Sequence, residues 1–260
     1  MLRFQKVFIT GANGTLGTEL REQLDKYGLP YVGTDKEVNI CDYAQLRETL
    51  YRSKCDAVIH CAGLINVAWC EKVGNRINAS NVNIGGAEKM ALVCRELDRF
   101  MLLVSTDYVY RGDKPYSSDK DGEEGNYEIT DSIELRMEKC VNYYAFTKAQ
   151  ADNVVQRTLL PGRFIVARLS FKKKGPWPYP RAFSDQYTSR DTVDVIADQI
   201  LQVLYGHYTG IVHLGTRRKT VYELAKRQSP EVEPISIHDL KNVVLPKDTS
   251  LKLTEIEEVL

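Results

Sequence analysis

The chain carries no surplus of charge: 35 Lys and Arg offset 35 Asp and Glu over 260 residues. It therefore lacks the basic excess with which general nucleic-acid and membrane-surface binders attract phosphates. It also has no apolar run long enough for a membrane-spanning helix, and Met1-Leu2-Arg3-Phe4-Gln5 leads straight into a strand with no signal-peptide pattern. Cys41, Cys55, Cys61, Cys70, Cys94 and Cys140 form no C-x-x-C pair, and several fall in apolar segments. They read as reduced thiols of a cytoplasmic protein rather than a disulfide frame or zinc site. His60, His207, His213 and His238 are equally dispersed, so ligand spacing supports no metal. His60 and His213 fall in strand-like runs, where a satisfied buried imidazole is expected. No internal repeat or low-complexity linker divides the chain.

What is present is ordinary globular material, 43% hydrophobic and 27% charged, enough for one large α/β domain with a small appended lobe. The stretch Thr10-Gly11-Ala12-Asn13-Gly14-Thr15-Leu16-Gly17 organises the rest. It follows the apolar run Val7-Phe8-Ile9, read as a buried strand, and precedes Glu19 to Leu24, which has helical spacing. Glycines at such a turn let the backbone approach a pyrophosphate, and the free N–H groups of the helix start face the anion. Gly-rich turns also occur without a ligand, so the turn alone leaves both readings open.

Tyr31-Val32-Gly33-Thr34 reads as a second strand ending at Asp35, where a dinucleotide-binding unit places its acidic partner for the adenosine ribose. The other reading of Asp35 is a solvated loop carboxylate. Lys36 could instead contact a 2′-phosphate, so NAD against NADP stays open, with a lean to NADH. Ala57-Val58-Ile59-His60 is a third strand running into Cys61-Ala62-Gly63, small residues against which a flat cofactor could lie. Phe100 to Val104 is a fourth, and the Ser105-Thr106-Asp107-Tyr108-Val109 after it lies where open α/β sheets bind ligands. Residues 111–141 are polar and charged, including Asp119 to Asn126, and read either as a mobile flap or as a solvated insertion. Tyr144 and Lys148 are four apart at the start of the next helix and share a face. Lys172 to Arg181 mixes cations with Trp177 and Tyr179: it is a site for an anionic planar ligand, or a basic surface loop. Strands alternating with helices predict a Rossmann-type, doubly wound parallel sheet over residues 1–170 and a small substrate-side lobe over 171–260. Late elements at about 191–215 should return to the core.

Thr106, Tyr144 and Lys148 together have a reaction logic. Hydride delivered to a carbonyl carbon leaves charge on oxygen, which a nearby phenol can protonate. The Lys148 ammonium would lower the phenol pKa, and Thr106 would orient the carbonyl. Ser105 is the competing hydroxyl, with Thr106 preferred by position.

On these segments the chain resembles an extended short-chain dehydrogenase/reductase, and within that superfamily is similar to the dTDP-4-dehydrorhamnose reductases. The carriers are the Thr10–Gly17 turn, Cys61-Ala62-Gly63, Ser105-Thr106-Asp107-Tyr108-Val109, Asn142-Tyr143-Tyr144-Ala145-Phe146-Thr147-Lys148 and Ser184-Asp185-Gln186-Tyr187. The resemblance runs from Val7 to about Ala197. It implies Thr106, Tyr144 and Lys148 as catalytic. Gly11, Asn13, Gly14, Thr15, Leu16, Gly17, Cys61, Ala62, Gly63, Asn83, Tyr144 and Lys148 would hold NAD(P)H, with Asp35, Lys36, Asp42 and Tyr43 near the adenosine. Thr106, Asp107, Phe171, Trp177, Arg181 and Arg190 would face the substrate, with Lys172, Lys173, Lys174, Arg181 and Arg190 as diphosphate candidates and Trp177 or Tyr179 stacking on the base. The implied reaction is NAD(P)H-dependent reduction of a nucleoside-diphosphate-linked 4-keto-6-deoxy sugar in deoxysugar or polysaccharide biosynthesis. A homodimer is an assembly common in the superfamily. Two alternatives stand beside it. One is an NAD-retaining nucleotide-sugar 4-epimerase or dehydratase, since Arg190-Asp191-x-Val193-Asp194 is similar to that branch. The other is a non-enzymatic NADP-binding regulatory subunit, like the beta subunit of methionine adenosyltransferase. Ala145 stands where the relatives carry Gly, and the chain after Thr220 is shorter than theirs.

Overall fold

A computed structural model describes residues 3–117, 122, 124–239 and 244–260. The first half alternates strand and helix: β1 (Val7–Thr10), α1 (Thr15–Tyr27), β2 (Tyr31–Thr34), α2 (Tyr43–Ser53), β3 (Ala57–His60), α3 (Val67–Glu71), α4 (Arg76–Ser80), α5 (Gly86–Glu96) and β4 (Phe100–Val104). After the polar segment come α6 (Tyr143–Thr158), β5 (Phe164–Arg168), the short strands β6 (Phe171–Lys172), β7 (Arg181–Phe183), β8 (Tyr187–Thr188) and β9 (Asp191–Thr192), then α7 (Val193–Tyr205), β10 (Gly210–His213), β11 (Lys219–Thr220), α8 (Val221–Gln228) and β12 (Glu233–Ile235).

Six strands form one parallel sheet in the order β10-β5-β4-β3-β1-β2. β1, β3 and β5 are buried along their whole length, as expected where helices cover both faces. The period of two divides their side chains between two cores. Val7, Ile9, Ile59, Leu102 and Ile165 face α1 and α7, and Phe8, Val58, Met101, Leu103 and Val166 face α2, α5 and α6. The sheet is thus the Rossmann-type arrangement the sequence predicts. Strands leave β1 in both directions, and in open α/β sheets the ligand crevice lies at such a reversal, beyond the carboxyl ends of β1 and β3.

Local signals explain the element ends. Asp42 caps α2 by accepting from the Gln45 amide, Asn142 caps α6 by accepting from the Ala145 amide, and α8 opens with a Thr220/Glu223 capping box. Gly28 ends α1 in the left-handed region at φ 65°. The smaller lobe packs Trp177, Ala182, Val221, Leu224, Ala225 and Val232 around the β7–β12 pair and α8.

The polar segment at 111–141 is described only in part. Its expected residues 118–121 and 123 lie outside the described residues. The described part is strapped to the body: the Asn126 and Tyr127 amides donate to the Ser250 carbonyl, both at 2.9 Å. Tyr127 pairs with Leu251, and its hydroxyl accepts from the Gly112 and Lys114 amides. The straps come from the C-terminal segment, which then runs beside β10 through a bond from the Thr254 amide to the His213 carbonyl. A polar composition here reflects hydrogen bonding to another segment as much as to water. All six cysteines are free, and among the described residues no helix is long and apolar enough to cross a membrane.

Candidate active site

The glycine turn lies in the crevice. Gly14 precedes α1 without any side-chain cap, and no acidic residue occupies the first turn. The first amides of α1 are therefore left for an anion. Gly11 has φ +66°, and a Cβ on it would lie 2.9 Å from the Ala62 nitrogen; a Cβ on Gly17 would lie 2.3 Å from the Gly11 carbonyl oxygen. The turn is therefore pressed against the Cys61-Ala62-Gly63 backbone, and the residues present fit a dinucleotide pyrophosphate. Asn13 and Thr15 are exposed at its rim, while Leu16 is buried in the core. Asp35 and exposed Lys36 follow β2 directly at the same end of the sheet.

Other cofactor candidates have structural partners. Asn83 is buried in a π-helical turn (Asn81–Gly85), the kind of irregularity often found at functional sites. Its amide accepts from the Leu64 amide at 2.7 Å and donates to the Leu64 carbonyl at 3.0 Å and the Thr147 hydroxyl at 2.9 Å. It braces the loop after β3 against α6. The Asp42 carboxylate is engaged as the α2 cap, and the Tyr43 hydroxyl donates to Glu96.

At the other end of the crevice the structure joins the three proposed catalytic residues. β4 delivers Ser105 and Thr106, and α6 delivers Tyr144 and Lys148 one turn apart. Thr106 lies close enough to the Tyr144 phenol to favour its ionised form. The Thr106 hydroxyl also donates to Asp107 at 3.2 Å and accepts from the Tyr108 amide at 3.3 Å. Tyr108 packs edge-on against the Tyr144 ring. Lys148, buried, donates to the Val104 carbonyl at 2.7 Å. The expected lowering of the phenol is not what the protein alone produces. Burial raises the Tyr144 pKa first, and the Asp107 carboxylate adds to this against the effect of Thr106. A phenol in that state holds its proton at neutral pH, as a donor must. Burial lowers Lys148, opposed by Asp152 and Cys61.

Asp107 is buried, and burial raises its pKa. Thr188 at 3.4 Å and Thr249 at 2.8 Å donate to it beside Thr106, and Arg190 lies close enough to favour its charge. Arg190 is itself held by its Nε–H donating to Ser170 at 2.7 Å. Phe171 is partly buried in β6, which pairs with β9 one residue beyond Arg190. Trp177 is corrected: it is 7% exposed in the lobe core, so packing occupies the ring that was expected to stack on a base. Exposed Tyr179 and Arg181 line an open recess with Glu231 and Glu233. Lys174 pairs with Glu19, while Lys172, over the Trp177 ring, is pushed down to about 8 by burial and Arg190.

Sequence reasoning missed Thr188 and Thr249, whose signal is only tertiary. It also missed a buried network behind the site. Asp152 accepts from Ser105 and from Arg168 Nε at 3.0 Å, and Arg168 Nη1 donates to the Tyr110 hydroxyl at 2.7 Å. That hydroxyl meets His213 Nε2 at 2.8 Å. His213 and His60 are satisfied buried imidazoles, the latter paired with Thr10 at 2.9 Å.

Comparison with known proteins supports the fold and gives the family. A spore coat polysaccharide biosynthesis protein, SpsK of Bacillus subtilis, is 35% identical over 117 residues, 44% of this chain and 41% of that protein. A dTDP-4-dehydrorhamnose reductase of Mycobacterium tuberculosis is 32% identical over 133 residues, 48% of this chain and 42% of that protein. The chain thus spans about four-tenths of the length of these curated relatives. The crystal structure of dTDP-4-dehydrorhamnose reductase from Bacillus anthracis in complex with NADP superposes with a TM-score of 0.82 at 23% identity, covering 96% of this chain and 91% of that one. The model of the RmlD substrate binding domain matches residues 5–258, and the chain belongs to that family.

Proposed function

We propose that the protein reduces a nucleoside-diphosphate-linked 4-keto-6-deoxy sugar to the 4-hydroxy sugar at the expense of NAD(P)H. The observation that carries this reading is the meeting of Tyr144 with the Thr106–Tyr108 stretch at the mouth of the sheet, at the same end as the uncapped α1 and the close approach of Gly11 to Ala62. The relatives' names support the substrate class, and the NADP of the Bacillus anthracis structure supports the cofactor class.

Held by the glycine turn, a reduced nicotinamide dinucleotide would supply the hydride for the keto carbon. Thr106 orients the ketone oxygen by a hydrogen bond, and Tyr144 transfers its phenolic proton to that oxygen. Solvent then restores the phenol. Lys148 presents its ammonium to the ribose hydroxyls and stabilises the phenolate left on Tyr144. Arg190 holds the diphosphate, and Asp107 faces the sugar. Asp35 favours NADH by accepting from the adenosine ribose hydroxyls, and Lys36 sets the residual affinity for NADPH. The six free thiols support a reducing, cytoplasmic setting.

The test is the absorbance of NADH and of NADPH with the purified protein and a panel of dTDP- and UDP-linked 4-keto-6-deoxy sugars. Sugar-dependent oxidation supports the reading. Loss of neither dinucleotide with any sugar contradicts it, and tightly bound NAD that is not consumed points to an epimerase.

A further inference from the structure

Helix α6 carries three chemically active groups on one face, at positions 144, 148 and 152, each one turn from the next. The first two belong to the reaction already described. The third, Asp152, is fully buried and touches neither crevice nor solvent. It nevertheless binds the same short stretch of chain as Lys148. Lys148 donates to the carbonyl of Val104, and Asp152 accepts from the hydroxyl of Ser105, the next residue. Thr106 comes immediately after. The end of β4 is therefore fastened to α6 at two successive residues by a cation and an anion a turn apart, and the residue beyond the clamp meets Tyr144.

We propose that Asp152 is a positioning residue for this site: it fixes Ser105, and through it Thr106, against α6, and supplies the negative charge that keeps the buried Lys148 as an ammonium. The inference rests on the reductase reading for the task given to Lys148, but not for its own test.

The surroundings support the assignment. The groups facing the pair are Tyr144 on α6, His60 and Cys61 at the end of β3, Arg168 on β5, and Tyr110 beyond Asp107. Of these, Arg168 is the one that binds Asp152 directly, at 3.0 Å with both side chains buried. The guanidinium holds the carboxylate ionised against burial, which by itself raises Asp152. His60, lowered to about 3 by burial, stays neutral at working pH. Asp152 is then the anion next to Lys148. Without it, the buried lysine would have no carboxylate beside it to offset burial, a situation relieved by loss of the lysine proton.

The experiment is an NMR titration of the full chain labelled with carbon-13 at the lysine ε position, the Lys148 resonance being identified by its absence in Lys148→Arg. Asp152→Asn is expected to lower the Lys148 midpoint by about one pH unit or more. Asp152→Glu and Ser105→Ala keep the charge and should leave the midpoint in place. Should Asp152→Asn fail to fold, Arg168→Gln carries the test in the same sense: without the guanidinium that keeps it ionised, Asp152 takes up a proton more readily, and the midpoint should fall. A midpoint unmoved in whichever of the two folds overturns the proposal. In turnover, Asp152→Asn should move the alkaline limb of the kcat/KM profile to lower pH, whereas Ser105→Ala should lower kcat without moving it. If the unmodified protein reduces no keto sugar, the reductase reading falls while the titration still decides the role of Asp152.

Discussion

The Thr249 hydroxyl donates to the Asp107 carboxylate at 2.8 Å, a contact spanning 142 positions of sequence. It brings the C-terminal segment to the floor of the site and makes that segment part of it. Thr249→Val removes the donor at nearly constant volume. A hydrogen bond to a charged group contributes about 1.5–3 kcal/mol, so urea unfolding should show a loss in that range. If Asp107 faces the sugar, KM should rise more than kcat falls. Unchanged stability would mean that Thr106 and Thr188 alone satisfy the carboxylate.

Gly17 has no room for a side chain, because the atom it would meet is the Gly11 carbonyl oxygen, 2.3 Å from an added Cβ. Gly17→Ala should cost about 1–3 kcal/mol as the turn shifts. Since that turn is the proposed phosphate cradle, dinucleotide affinity measured by fluorescence or calorimetry should fall roughly tenfold or more. Retained affinity would place the pyrophosphate elsewhere.

Burial takes His213 down to about 4 from 6.5. With the Lys252 carbonyl at Nδ1, the neutral ring carries its proton there and accepts from Tyr110 at Nε2. The unfolded chain binds this proton near pH 6.5 and the folded chain only near 4. Stability from this group is thus full above about pH 6.5 and declines as the pH falls toward 4, by roughly a few kcal/mol. Urea midpoints at pH 7 and pH 5 should differ accordingly, and less so in His213→Gln. Equal slopes in both proteins would contradict the neutral assignment.

Arg218 lies between two rings, 3.6 Å from the Tyr187 centroid and 4.0 Å from that of Tyr116, and pairs with Asp248 at 3.0 Å. It joins the lobe, the polar segment and the C-terminal segment. Arg218→Ala should cost about 3 kcal/mol, since it leaves a mostly buried carboxylate unpaired. Chymotrypsin should then cut within 111–141 faster than in the unmodified chain. An unchanged cleavage rate would show that the Tyr127 and Asn126 bonds suffice to hold the segment.

The sheet and the crevice were legible because their signals are local. Buried parallel strands appear as continuous apolar runs such as Val7–Ile9, and the glycine turn between β1 and α1 shows as spacing. Tyr144 and Lys148 share a helical face, so their proximity follows from their separation, and Thr106 lies at a strand end. The rest depends on contacts between distant segments. Nothing near Trp177 in sequence distinguishes a ring that packs against Val221 and Leu224 from one that stacks on a ligand. Thr249 is unremarkable until the chain returns to Asp107. Likewise, the charges of residues 111–141 suggest solvent until Tyr127 meets Leu251.

The central claim is that Tyr144 donates the proton. It is tested most directly by the rate of NAD(P)H oxidation with a dTDP-linked 4-keto-6-deoxy sugar in the unmodified protein and in Tyr144→Phe, each checked for folding and dinucleotide binding. Intact binding is expected, with a rate reduced by roughly 100- to 10,000-fold in the variant. Turnover within a few-fold of the unmodified protein would contradict it.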